Sequence, residues 1–187
     1  MYIQVTLNAK LQPMHRHDLE DALTEIFEKE NIKAEITGGG TGQEKNGEIA
    51  YSDLEIALEE FSDEIIKQII NLLEKILAPK GSKVTIFSKD KNTESKVIKF
   101  GKHEGLGLYL SNDLDDNVYK ECDVNVIYGE IQKLLEENNL GRIESYWEGQ
   151  ETALYLYGKS FDEIQNIIKP FLEEYPLCEK CRIVKIA

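Results

Sequence analysis

Four stretches of the 187-residue sequence hold residue types whose spacing could do chemistry. Cys178-Glu179-Lys180-Cys181 has the C-x-x-C spacing of a zinc or redox pair. A structural zinc site needs four ligands, usually two such pairs, and a thioredoxin-type pair opens a helix whose dipole lowers the thiol pKa. Here there is one pair, it follows a helical pattern, and the chain has three cysteines, Cys122 being the third. "MHRHD" sets His15 and His17 two apart, where a loop could converge them on a metal, but no other ligand cluster accompanies them. Asp18 suits the cap of the helix expected to follow. No metal and no cofactor is expected.

The third stretch is "ITGGGTGQEKNGEIAY", residues 36–51. A phosphate-cradling loop needs backbone N–H groups at a helix start, and both the Walker and the Rossmann motifs lead into a helix. Here the glycines lead into "IAYSDLEIAL", which reads as a strand, and Asn46-Gly47 is a strong hairpin-turn signal. The stretch therefore reads as a hairpin. The fourth feature, paired carboxylates such as Glu59/Glu60 and Asp115/Asp116, is too common in so acidic a chain to mark a catalytic site. Neither a nucleophile elbow nor an H-E-x-x-H helix occurs, so an enzyme is not indicated.

These stretches sit on two copies of one pattern. "DEIIKQIINLLEKILAPKGSKVTIF" from Asp63 overlies "DEIQNIIKPFLEEYPLCEKCRIVKI" from Asp162 at an offset of 99. Upstream, "EKENI" at Glu28 parallels "EENNL" at Glu136, both ending a helical pattern. Each copy reads strand, helix, strand, strand, helix, strand. In the first, Ile3, Val5 and Leu7 alternate, Leu19, Leu23, Ile26 and Phe27 follow helical spacing, and Ser62 caps a helix with Ile65, Ile69, Leu72, Leu73 and Ile76 inward. In the second, Ile127, Ile131, Leu134 and Leu135 mark one helix and Ile164, Ile167, Ile168, Phe171 and Leu172 the other, with a bend expected at Pro170.

The order is that of the ferredoxin-like split βαβ unit, α+β with antiparallel sheets and helices on one face. Residues 1–87 form the first repeat, 88–104 a linker or extra strand, and 105–187 the second; the polar "SKDKNTESK" from Ser88 is the linker proper. No segment is apolar enough to span a bilayer and no secretory signal opens the chain, so a cytoplasmic protein without membrane contact is expected.

The formal charge is −13, with 35 acids against 22 bases. Such a surface repels phosphate and attracts cations, so nucleic acid is excluded on this reading and a basic protein partner is favoured. Seven of the nine tyrosines and the single tryptophan lie in residues 105–187. Alternation turns Tyr109, Tyr155 and Tyr157 away from the helices, and places Tyr146 and Trp147 on opposite sides of a neighbouring strand. An aromatic sheet face is either packed inside the protein or a partner site. On the second reading Trp147, Tyr155 and Tyr157 anchor a partner beside Tyr109 and Tyr146, with Glu144 and Glu148 steering it.

In general character the chain resembles small acidic immunity proteins, which would imply inhibition of a basic toxin. It is also similar in βαββαβ order to tandem ACT-like regulatory domains. That would imply a small effector, with "GGGTGQ" or "MHRHD" lining its pocket, or a minor enzyme. The expected function is a non-catalytic acidic protein-binding module, with ligand sensing as the alternative and a homodimer compatible with both.

Overall fold

The computed structural model describes residues 1–76, 78–87 and 94–187. Most of the linker expected at 88–96 lies outside the described residues. Two compact units result, Met1–Lys102 and His103–Ala187.

The first unit runs β1 (Tyr2–Leu7), α1 (Pro13–Lys29), β2 (Ala34–Gln43), β3 (Ile49–Leu58), α2 (Asp63–Lys75), β4 (Ser82–Phe87) and β5 (Glu94–Phe100). Its sheet has the order β2-β3-β1-β4-β5, every pair antiparallel. Strand β1 therefore lies between β3 and β4, the split βαβ arrangement, and β5 adds a strand beyond β4. The strict alternation of β1 buries Ile3, Val5 and Leu7, and Leu54, Ile56, Ile66, Ile69, Leu73 and Val84 are buried as well. On α2 the inward residue is Ile66 where the pattern suggested Ile65.

The second unit runs β6 (Glu104–Leu110), α3 (Asp116–Glu121), α4 (Val124–Glu137), β7 (Gly141–Glu148), β8 (Thr152–Gly158), α5 (Phe161–Glu174), a 3-10 turn (Pro176–Cys178) and β9 (Arg182–Lys185). Its sheet order is β7-β8-β6-β9, also fully antiparallel. Leu106, Leu108, Leu154 and Leu156 pack with Ile127, Ile131, Ile164 and Ile168 between sheet and helices. The chain is thus α+β, two tandem ferredoxin-like units.

The two units repeat their local devices as well as their order. Ser62 caps α2 by accepting from the Ile65 N–H at 3.1 Å, and Ser160 caps α5 by accepting from the Glu163 N–H at 3.3 Å. Each cap is followed by acids that complement the helix dipole, Asp63 and Glu64 in one, Asp162 and Glu163 in the other. Helices α1 and α4 each end on an asparagine in the left-handed region, Asn31 (φ 54°) and Asn139 (φ 50°). The next N–H in each case turns back to a carbonyl five residues earlier, Ile32 to Phe27 at 2.9 Å and Leu140 to Leu135 at 3.0 Å. Asparagine tolerates this conformation where most residues do not.

Three sequence expectations change. Helix α1 begins at Pro13, so His15, His17 and Asp18 are helical residues, and Gln12 occupies the cap position. Proline is suited to a first helical position because it has no N–H to satisfy, and this signal outweighs Asp18 as a cap. The glycines lie within β2 and not at the hairpin tip, which is formed by residues 44–48. Helix α3 is an additional short element, capped by Asp115, whose side chain accepts from the Asn117 N–H at 2.8 Å. Pro170 stands inside α5, where the pattern placed it.

Candidate functional site

The aromatic face of the second sheet is buried, and its glycines let the rings approach the backbone. Strand pairing sets Tyr157 opposite Gly105 and Tyr155 opposite Gly107 on the face away from the helices. A Cβ on Gly105 would stand 2.7 Å from the Tyr157 ring, and one on Gly107 would stand 2.8 Å from the Tyr109 ring. The rings therefore lie down on bare backbone where a side chain would hold them off. Tyr109 meets Tyr155 edge-to-face at 6.4 Å between centroids, and Arg182 of β9 sits 4.7 Å above the Tyr109 ring. Ile186, beyond β9, closes over the same glycines. Tyr155 is 0% exposed, Tyr157 1% and Tyr109 7%.

Trp147, on the same side of the sheet, is 8% exposed, and its ring occupies the space above Gly149 in the β7–β8 turn. Tyr146 points to the helix side and packs against the core there. Glu144 is mostly buried and its Oε1 accepts from the Arg142 Nε at 2.5 Å; burial pushes its carboxyl above the usual range, and Arg142 opposes that shift. Glu148 is exposed at the end of β7. Of the residues expected to meet a partner, Tyr109, Trp147, Tyr155 and Tyr157 are buried, Tyr146 is partly buried, and Glu148 is exposed.

Two stretches that the alternative reading treated separately come together in the first unit. Helix α1 packs on β2, so Arg16 and Glu20 lie directly over the glycine strand. A Cβ on Gly39 would fall 2.4 Å from Arg16 Nη1, 2.5 Å from Glu20 Oε1 and 2.5 Å from the Asp53 carbonyl oxygen. Arg16 is buried and donates from Nη1 to Glu20, whose second carboxylate oxygen lies 2.9 Å from His17 Nδ1. On the opposite face, the Tyr51 ring lies over Gly42 as the tyrosines of the second unit lie over theirs. His15, half-buried on the helix, is held below its ordinary pKa by burial, with Asp18 opposing. The sequence signal for this arrangement was a run of glycines in a strand, which marks close approach of another group.

Cys178 closes the core beneath the 3-10 turn, and Cys122 and Cys181 pack against the same core. All three are free thiols, and burial pushes the Cys178 thiol up to about 12, with Cys181 and Cys122 adding to the shift. Among the described residues, no group of three His, Cys, Asp or Glu side chains could hold a metal ion. Nor, among them, is any helix long and apolar enough to cross a membrane.

The charge divides unevenly between the two units. Residues 103–187 carry 17 acids and 8 bases, a balance of −9, against 18 and 14 in residues 1–102. Within the second unit, residues 113–137, which span α3 and α4, hold eight acids and two bases. The same helices carry exposed apolar and aromatic side chains: Tyr119 (41%), Val126 (44%) and Tyr128 (42%).

No protein-family model matches the chain, and no curated protein matches it by sequence. Two solved structures align along almost all of it. One is an unknown protein from Galdieria sulphuraria, 11% identical, covering 98% of this chain and 95% of that one with a TM-score of 0.28. The other is the first two RRM domains of yeast poly(U) binding protein, 14% identical, covering 100% and 99% with a TM-score of 0.25.

The second match corrects one expectation. Nucleic acid was excluded from net charge alone, and a tandem-RRM protein now stands among the structures the chain aligns with, so that exclusion is withdrawn. The physical weakness of the exclusion lies in averaging: a formal charge describes a whole surface and not any one patch of it. At these scores the likeness supports nothing further.

Proposed function

We propose that this chain is a non-catalytic protein-binding module whose contact surface is the acidic helical layer α3–α4 of the second unit. What carries the reading is the pairing of eight acids and two bases across residues 113–137 with Tyr119, Val126 and Tyr128 exposed among them. Negative charge of this density accelerates encounter with a cationic protein, and exposed aromatic side chains supply area that becomes desolvated on contact. The anchors thus move from the sheet to the helices, because the sheet tyrosines are buried. Glu148 adds to the field from the end of β7. An inhibitor of a basic toxin, working in the cytoplasm as immunity proteins do, is one member of this class.

The test is affinity capture from the native cell's lysate, comparing wild type with the double variant Tyr119→Ala/Tyr128→Ala at low and high salt. Retention of one basic protein by wild type, weakened by salt and lost with the variant, is the expected result. Immobilised poly(U) is run in parallel. Binding there, with nothing captured from lysate, overturns the proposal in favour of a nucleic-acid role.

A further inference from the structure

The last loop of the second unit brings two thiols together in a defined turn. Residues 178–181 form a β-turn: Glu179 has φ −57° and ψ 137°, Lys180 has φ 58°, and the Cys181 N–H donates to the Cys178 carbonyl at 3.1 Å. Those dihedrals are the type II form, in which the first and fourth Cα atoms lie less than about 7 Å apart. A disulfide spans Cα separations of about 4.4–6.8 Å, so the turn already sets the two cysteines at bonding range. Beside them a groove of about 640 Å³ is lined by both cysteines together with Gln165, Lys169, Tyr175 and Glu179. That volume lies within the range of small-molecule sites, roughly 300–1,000 Å³. Lys169 at its wall pairs with Glu173, also of the groove, at 3.7 Å. Cys181 is half-buried and reachable, whereas Cys178 is buried.

We propose that Cys178 and Cys181 are a dithiol which a low-molecular-weight peptide disulfide of the glutathione type, seated in this groove, oxidises to an intrachain disulfide. The Cys181 thiolate attacks one sulfur of the glutathione disulfide, the S–S bond breaks, and one glutathione thiolate leaves. Cys178 then passes its proton to the departed glutathione thiolate and attacks the Cys181 sulfur, forming the intrachain bond and expelling the second glutathione thiolate, which takes up a proton from solvent. The protein loses two protons and two electrons, and the glutathione disulfide becomes two glutathione thiols. The bond ties the end of the 3-10 turn to the residue that enters β9, so its formation fixes the last strand's attachment. Cys122 takes no part, although it packs against the same core.

The experiment incubates the intact protein with glutathione disulfide, blocks remaining thiols with an alkylating agent, and weighs and peptide-maps the product. Wild type is expected to lose two hydrogens and to keep one alkylatable thiol, at Cys122. Cys122→Ser behaves as wild type. Cys178→Ser accumulates a glutathione adduct on Cys181, and Cys181→Ser, which alters only the half-buried partner, forms no intrachain bond. Three alkylatable thiols in treated wild type, arrest at a glutathione adduct, or a mapped bond to Cys122 would each overturn the proposal.

Discussion

Replacing Tyr155 by alanine separates a packed sheet face from a free one. The side chain is 0% exposed, pairs edge-to-face with Tyr109 at 6.4 Å, and lies on the central strand β8 opposite Gly107. A tyrosine buries roughly 150–200 Å². At about 25 cal/mol per Å² this gives about 4–5 kcal/mol, an upper estimate because the unfolded chain already hides some of that area. Removing the ring also deletes an aromatic pair worth about 0.5–1.5 kcal/mol and leaves a cavity. A loss of about 3–5 kcal/mol is therefore expected. The assay is urea unfolding followed by the fluorescence of Trp147, the single tryptophan, which reports on the second unit. The midpoint should fall sharply with little change in slope. A loss below about 1 kcal/mol, the size seen for exposed side chains, would refute the packing argument.

Gly39→Ala places a Cβ 2.5 Å from the Asp53 backbone oxygen and 2.4 Å from Arg16, so α1 or β2 must shift. The expected cost is about 1–3 kcal/mol in thermal or urea unfolding. Gly40→Ala, with nothing within 4 Å, should cost less. Ser160→Ala removes the cap of α5 and should cost about 1 kcal/mol, with Ser62→Ala similar in the first unit; both are read by urea unfolding followed by circular dichroism. Glu144 is held by burial above its unfolded pKa. The native state thus keeps this proton longer than the unfolded chain does. The stabilisation is present below the unfolded value and lost as pH rises through the folded one. Glu144→Gln should flatten stability against pH across that acidic window, as measured by unfolding at stepped pH.

Most of the fold was legible because local signals agreed with one another. The alternation of Ile3, Val5 and Leu7, the serine cap at Ser62, and the helix ends in "EKENI" and "EENNL" each act within a few residues. The start of α1 was misread because Pro13 and Asp18 are competing signals, and only the folded chain decides between them. The site was less legible, since it depends on register. That Tyr155 and Tyr157 face Gly107 and Gly105 follows from the pairing of β6 with β8, which no single strand contains. Glycines alternating with leucines in "LGLYL" were the available signal: a bare position in a strand leaves room for a ring from its neighbour. Arg16 was hidden for the same reason, since its burial requires the glycines of β2, which lie more than twenty residues further along the chain.

The measurement that tests the central claim most directly is the salt dependence of a captured partner's affinity, for wild type and for Tyr119→Ala/Tyr128→Ala. The account predicts a basic protein whose affinity falls as salt rises, and falls at least tenfold with the double variant, a loss of about 1.4 kcal/mol. Affinity unchanged by the double variant, or insensitive to salt, would contradict it.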